Sequence, residues 1–440
     1  MIKTSLKKIV TLILKWEAKL VLKKYRPQII GVTGNVGKTG TKEAIAAVMK
    51  SKLKVRQSSK SYNNELGVPL TIIGTMTAWG SFFGWLKVIY RGLVLIIFKE
   101  DYPDWLILEI GADRPGDVKN IVSWIKFDIA VVTHLPDIPV HVEFFSSKDQ
   151  VAEEKMALPL SIKKDGLVII NHDDSNTQPF RDKIKARILT YGFDDGSDVR
   201  ASNAHTIYEE SGKLKFPSGL TFKLDHAGNS VPVRVNGTLG THVVYPILAA
   251  IAVGISQDIN LVTIVETITT YESPAGRLRI LRGIKDSTIL DDSYNSSPAA
   301  LEAGLKALAS LETTGPAGTG GRKIAVIGDM MELGSFTLEA HRQAGILASI
   351  FCNLIMTVGL RAKFAADAAQ ENNFAADNLF HFNDSVLAGK KLQNLIKPGD
   401  IIYVKGSQSM RMEKVVEEIM LNPDQKGKLL VRQESEWLNR

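Results

Sequence analysis

A chain of 440 residues is too long for one hydrophobic core and implies two or three domains. Its 45% hydrophobic and 23% charged residues mark an ordinary folded protein, and the single cysteine, Cys352, excludes a disulfide framework or thiolate metal cluster and fits a reducing cytoplasm. The +7 charge lies wholly in residues 1–26, where eight basic residues face Glu17 alone; the other 46 basic and 46 acidic residues balance, so the overall basicity is no evidence for nucleic-acid binding by the body, and no nucleic-acid partner is expected.

That first segment has a helical period. At about 100° per residue, Ile2, Leu6, Ile9, Ile13, Trp16 and Leu20 share a stripe about 80° wide, with most lysines elsewhere. The spacing predicts a basic amphipathic helix, which either lies on an anionic membrane at the inner face or packs its stripe on the body. Its longest apolar-plus-threonine run, Ile9 to Leu14, is too short to span a bilayer, and no small-residue cleavage site follows it.

Next comes a strand over Gln28 to Val32. It delivers Gly34, Asn35, Val36, Gly37, Lys38, Thr39 and Gly40 to a helix beginning near Thr41. Glycines let backbone N–H groups approach phosphate oxygens, and the helix N-terminus favours the anion. Lys38 would neutralise the terminal phosphates and the Thr39 hydroxyl would ligate Mg²⁺. The full phosphate-loop pattern wants glycine where Val32 stands.

The stretch WGSFFGWLKVIYRGLVLIIF (79–98) predicts a buried or membrane-touching helix, because Lys87 and Arg91 interrupt it. Each central cation costs about 2.5–3.5 kcal/mol in a spanning helix, which excludes that reading. DWLILEIGA (104–112) reads as a buried strand ending at Glu109, where a carboxylate can reach a metal held by the loop. His141 and Lys155 lie in HVEFFSSKDQVAEEKMAL, the lysine on an expected helix; a lone histidine or lysine is ordinarily structural. Further strand-like runs at DIAVVTH, GLVIIN, STILDDS, KIAVIGD, LIMTVGL and DIIYVKGS alternate with helical stretches and predict parallel-rich α/β sheets. A Pro-Ala-Gly turn near Pro274 marks a domain boundary, and TTGPAGTGGRK (313–323) reads as a surface loop.

These stretches together resemble the Mur ligases, most closely the branch that adds a D-alanyl dipeptide. The likeness runs in order through GVTGNVGKTGTKE, NNELGVPLTI, LEIGADRPGDV, HVEFFSSKDQVAEEK, GRLRIL, DDSYNSSPAAL, GDMMELGSFTLEAHRQAG and VKGSQSMRMEKVV. The shortened loop is the family's own form. After the N-terminal helix (1–27), the resemblance implies a central P-loop ATPase domain (28–274) and a C-terminal Rossmann-like domain (275–440) that uses no dinucleotide. ATP would sit between the two domains. A peptide carboxylate donor would become an acyl phosphate, which a small amine acceptor displaces, in a cell-wall peptide precursor.

By position, Lys38 and Thr39 match the family's phosphate and Mg²⁺ residues, and Glu109 and His141 its metal-associated carboxylate and histidine. Lys155 matches the lysine that the family carbamylates with CO₂, giving an anion beside a second Mg²⁺. Arg277 matches an arginine near the ATP phosphates; Asp292 and Asn295 match residues lining the nucleotide. A monomer is expected. Three departures stand out. Only the basic helix occupies the place of the family's uridine-nucleotide domain, so the donor is expected to ride a different carrier or to be presented by a partner or the membrane. Val243 and Pro246 replace two asparagines, one of which helps hold the adenine, and Ser297 replaces another in YNSSP. Two alternatives stay open: a P-loop ATPase or kinase of other coupling, and a membrane-peripheral scaffold with a decayed site.

Overall fold

Alternate residues of the central strands are apolar on both sides, so they need cover on both faces. Ile30, Val32, Ile107, Val131 and Ile169 enter one core, while Ile29, Leu106, Leu108, Val132 and Ile170 enter another. The computed structural model describes residues 2–58, 62–78, 81–315 and 320–438. Residues 316–319 of the expected 313–323 loop lie outside these, as do the side chains of Ile2 and Leu6.

The first sheet has nine strands: β1 (Gln28–Thr33), β2 (Val55–Gln57), β3 (Trp105–Glu109), β4 (Ile129–Val132), β5 (Leu167–Asn171), β6 (Arg187–Gly192), β7 (Val199–Ser211), β8 (Leu214–His226) and β9 (Asn229–Asn236). Their order is β2-β3-β1-β4-β5-β6-β7-β8-β9. Pairing is parallel from β2 to β7, then antiparallel through β8 and β9. The second sheet comprises β10 (Arg279–Gly283), β11 (Ser287–Asp292), β12 (Lys323–Gly328), β13 (Leu354–Val358), β14 (Leu379–Phe382) and β15 (Ile401–Lys405), in the order β10-β11-β15-β12-β13-β14. Only β10 runs antiparallel to its neighbour. The fold is α/β with parallel-rich sheets.

In the first sheet β1 lies between β3 and β4, the point where strand order reverses. Crevices at the carboxyl ends of such strands are where ligands bind in open α/β sheets. The antiparallel arm β7–β8 also reaches the second sheet. There Glu312 N donates to the Tyr208 hydroxyl (2.9 Å), and the Arg282 guanidinium lies 3.5 Å over the Phe216 ring. The arm therefore braces the two sheets away from the cleft.

The N-terminal helix α1 (Ile2–Tyr25) packs on α3 (Gly67–Ile73) and α4 (Phe82–Ile97), α2 being Lys38–Lys50. Its buried face is Val10, Leu14, Glu17, Ala18 and Val21, the four apolar members belonging to one core. This face adjoins the expected stripe instead of coinciding with it. Ile13 and Leu20 are half-buried at the seam, whereas Ile9 and Trp16 stay exposed. No described helix is long and apolar enough to cross a membrane.

Candidate active site

The loop after β1 depends on two glycines. Gly34 has φ +134°, and a Cβ there would lie 2.0 Å from Thr133 Oγ1; Gly37 has φ +88° at the start of α2. Both conformations favour glycine and turn backbone N–H groups toward the crevice. Asn35 is pinned to Val140 by two hydrogen bonds, Nδ2 to Val140 O (3.4 Å) and Val140 N to Oδ1 (3.2 Å). Val36 bridges to His134 of the loop after β4. Lys38 Nζ donates to Gly34 O (2.9 Å) and Asn35 O (3.2 Å), and burial lowers its pKa against the opposing pull of Glu109.

Register brings the acidic partner alongside. Glu109 pairs with Val32 across β3 and β1, so its carboxylate emerges beside the loop. The Thr39 hydroxyl donates to Glu109 Oε2 (3.1 Å), and Arg277 Nη2 reaches Thr39 Oγ1 (3.3 Å) from the far side of the cleft. The Arg277 guanidinium stacks 4.0 Å over the Tyr294 ring, and its Nε is buried without a hydrogen-bond partner. Loop, carboxylate and arginine thus form one cationic and hydroxyl-bearing pocket floor.

Lys155 sits on α6 (Lys148–Leu160), α5 being Asp117–Val122. Its neighbour Glu154 accepts from Val118 N (2.8 Å) and Lys119 N (3.1 Å), capping α5 and fixing the rotation of α6. Lys155 is thereby buried near Lys38; burial first, then Lys38, pushes its pKa well down, opposed by Asp113. A neutral amine is the form that adds CO₂.

His141 has φ +69°, an uncommon conformation for a histidine. Its Nε2 is 3.6 Å from Asp113 Oδ1 and its Nδ1 is 2.6 Å from Glu332 Oε2, which comes from the second sheet's side. Glu332 (φ +64°) and Leu278 (φ +48°), next to Arg277, share this strain around the cleft.

Asp292 and Lys405 are direct register partners at the ends of β11 and β15. Lys405 Nζ donates to Asp292 Oδ2 (2.6 Å) and Asn295 O (3.0 Å), and the Tyr403 hydroxyl donates to Asp292 Oδ2 (3.1 Å). Asn295 Oδ1 accepts from Gln408 N (3.4 Å). A cavity of about 330 Å³ lies between Asp292, Lys405 and the loop glycines Gly37 and Gly40, roofed by Tyr245 and Pro246. That volume fits a nucleoside. Val243 and Pro246 both line this cavity. A second cavity of about 650 Å³ opens past Thr39 and Arg277, between Tyr62, Asn64, Arg432 and Trp437.

The structure thus brings Lys38, Thr39, Glu109, Arg277, Lys155 and His141 to one cleft, with Asp292 and Asn295 on its far wall. Sequence reasoning missed Asp113, Glu332 and Lys405. Lys405 had a legible signal, a cation ending the buried run IIYV, just as Glu109 ends WLIL. Among the described residues no three His, Cys, Asp or Glu side chains converge to hold a metal. Mg²⁺ does not need them, since it keeps waters and phosphate oxygens and takes one or two protein ligands. The Thr39–Glu109 pair suits it.

Residues 92–254 match the Mur ligase middle domain and residues 276–408 the Mur ligase, glutamate ligase domain. The UDP-N-acetylmuramoyl-tripeptide--D-alanyl-D-alanine ligase of Bacillus subtilis is 25% identical over 407 residues, covering 92% of this chain and 79% of the relative. The ligase of the same name from Mycobacterium leprae is 28% identical, covering 87% and 71%. The MurF ligase of Thermotoga maritima, solved with ADP, superimposes with a TM-score of 0.72 at 22% identity, covering 93% of this chain and 83% of that one. A pseudomurein peptide ligase type C from Methanothermus fervidus gives 0.59 at 16% identity, covering 89% and 79%. The chain belongs to the Mur ligase family and is an ATP-dependent, ADP-forming enzyme that makes amide bonds.

Proposed function

We propose that the chain joins a peptide carboxylate of a cell-wall precursor to the amine of D-alanyl-D-alanine or a similar small peptide. The observation that carries this reading is that two cavities share Arg277 and Pro274, one sized for a nucleoside and the other, lined by Thr39, open to a peptide. A carboxylate oxygen of the donor attacks the γ-phosphorus of ATP, and the bond to ADP breaks. The acceptor's neutral amine then attacks the acyl carbon, loses a proton, and phosphate departs with the donor's oxygen.

In this reading Gly34 to Gly40 cradle the phosphates, with Lys38 and Arg277 neutralising the charge that builds as the phosphoryl transfers. Thr39 and Glu109 would hold one Mg²⁺; His141 and a carbamate on Lys155 would hold a second. Bound there, Mg²⁺ supplies Lewis-acid polarisation of phosphoryl oxygen. Asp292, fixed by Lys405 and Tyr403, and Asn295 line the nucleotide side. We divide the chain into 1–27, 28–274 and 275–440; the end of the first sheet at Asn236 and the start of the second at Arg279 support a break near Pro274. We further infer that the enzyme works as a cytoplasmic monomer, with residues 1–26 contacting the anionic inner face of a membrane. A phosphate-release screen tests the central reading. Release should require both a muramoyl-type peptide carboxylate and D-alanyl-D-alanine, and release indifferent to any amine would favour an ATPase of other coupling.

A further inference from the structure

Ten of the twenty exposed large hydrophobic side chains among the described residues belong to α1, α4 and the residue after α4. On α4 they are Phe82, Phe83, Leu86, Tyr90, Leu93 and Ile97, recurring every three to four residues and so forming a single outward stripe. The exposure is large: 81% for Phe83, 67% for Tyr90 and 68% for Ile97. The opposite face, Val88, Gly92 and Leu95, is buried, and a Cβ at Gly92 would lie 2.2 Å from Glu17 Oε2 of α1. Lys24 Nζ ties the same end of α1 to α4 by donating to Leu95 O (2.9 Å) and Ile96 O (3.0 Å). The two helices are thus held side by side, and α1 adds Ile9, Leu12 (67% exposed) and Trp16 to the exposed set.

We propose that α1 and α4 form one membrane-docking surface, in which the α4 stripe enters the interface of an anionic bilayer and the α1 lysines bind its headgroups. This extends, and rests on, the membrane contact proposed for residues 1–26, by assigning the apolar half of the surface to α4. Charge selects the occupant. The α4 segment 82–98 contains no acidic residue, and the only one in residues 1–26, Glu17, is buried. Lys7, Lys8, Lys19, Lys23, Lys87 and Lys99 are exposed around the apolar residues. A second copy of the chain would set this cationic field against itself, whereas an anionic lipid surface complements it. Tyr90 and Trp16 suit the headgroup level, where amphipathic rings concentrate. A helix with an apolar face and flanking lysines lies in the interface plane and need not span.

Co-sedimentation of the full chain with phosphatidylcholine vesicles, with and without phosphatidylglycerol, tests this. Binding to the anionic vesicles is expected, persisting in part at physiological salt. Leu86→Glu with Ile97→Glu should weaken binding about tenfold or more at physiological salt with every α1 lysine intact. Lys8→Glu, Lys19→Glu and Lys23→Glu together should abolish the preference for anionic lipid. A second measurement does not depend on affinity: Leu93→Cys, labelled with a polarity-sensitive dye while Cys352 stays buried, should shift to the blue on vesicles. Vesicle binding with the dye still in water would overturn the role of α4 and leave residues 1–26 as the whole contact. Absence of any binding would overturn both, and a solution dimer dispersed by Leu86→Glu and Ile97→Glu would assign the stripe to a second copy.

Discussion

Half-buried Lys38 and fully buried Lys155 lie near one another, and negative charge in the cleft accounts for each. For Lys38 the anion is the transferring phosphoryl group. Lys38→Ala should lower turnover by about 10²–10³-fold or more with the fold intact, because a fixed positive charge is lost where negative charge develops. Near-wild-type turnover in a folded variant would contradict the phosphate-loop assignment. For Lys155 the expected answer is to become an anion itself. Burial and Lys38 hold its amine toward the neutral form, and the carbamate so formed is able to ligate a cation. Lys155→Ala should be nearly inactive and partly restored by acetate or another small carboxylate; full activity in the alanine variant would refute the modification. Legibility at this scale followed chain distance. The glycine loop could be read because its function is local, and Glu109 because it ends a buried run. His141, Lys155 and Arg277 could not be assigned from residue type, since their partners lie far along the chain: Arg277 meets Thr39 across 238 positions. Only the family resemblance marked them.

The elements show the same division between local and long-range information. Every strand read from a dense apolar run is present, because burial on both faces demands such runs. The arm β7–β8–β9 escaped notice, since its outer residues are only partly covered and the alternation is blurred by polar side chains. For α1 the period was legible but the packing face was not. Ile9 and Trp16 dominate the stripe, whereas the face that packs is built from Val10, Leu14, Ala18 and Val21 around a carboxyl group, which masks it. That carboxyl, Glu17, is fully buried, both oxygens lack hydrogen-bond partners, and burial pushes its pKa up to about 7. The folded state therefore holds a proton that the unfolded chain releases near the ordinary value of 4.5. The protonated group's contribution is fully present below 4.5 and is lost as pH rises toward 7. Glu17→Met should stabilise the protein by about 1–3 kcal/mol at pH values above neutrality, the usual cost of a buried unsatisfied polar group. The gain should shrink toward pH 5. Thermal unfolding at both pH values checks this, and an equal or destabilising effect at each would show that Glu17 has a partner in solution.

At the scale of the whole molecule, the proposed catalysis depends on two sheets meeting at one cleft. Thr39 and Glu109 come from one side, Arg277, Glu332 and the Asp292–Lys405 pair from the other, and contacts between them cross the gap at Thr39–Arg277 and His141–Glu332. Arg277→Ala should accordingly lower turnover more than it weakens nucleotide binding, because its guanidinium serves charge that develops during transfer; equal loss in both would make it a simple binding residue. The helix pair proposed to dock on a membrane adds a question about the donor, namely whether a lipid-linked muramoyl peptide is used better than its uridine-nucleotide form. Steady-state comparison of the two decides it: a higher kcat/KM for the lipid-linked form is expected, and a large preference for the nucleotide form would separate catalysis from the membrane surface. The most direct measurement of all follows an atom. With the donor carboxylate labelled in both positions by heavy oxygen, each phosphate released should carry one labelled oxygen, and release should require the acceptor amine. Unlabelled phosphate, formed at the same rate without any amine, would show that water and not a carboxylate attacks ATP, and that the cleft is not a ligase site.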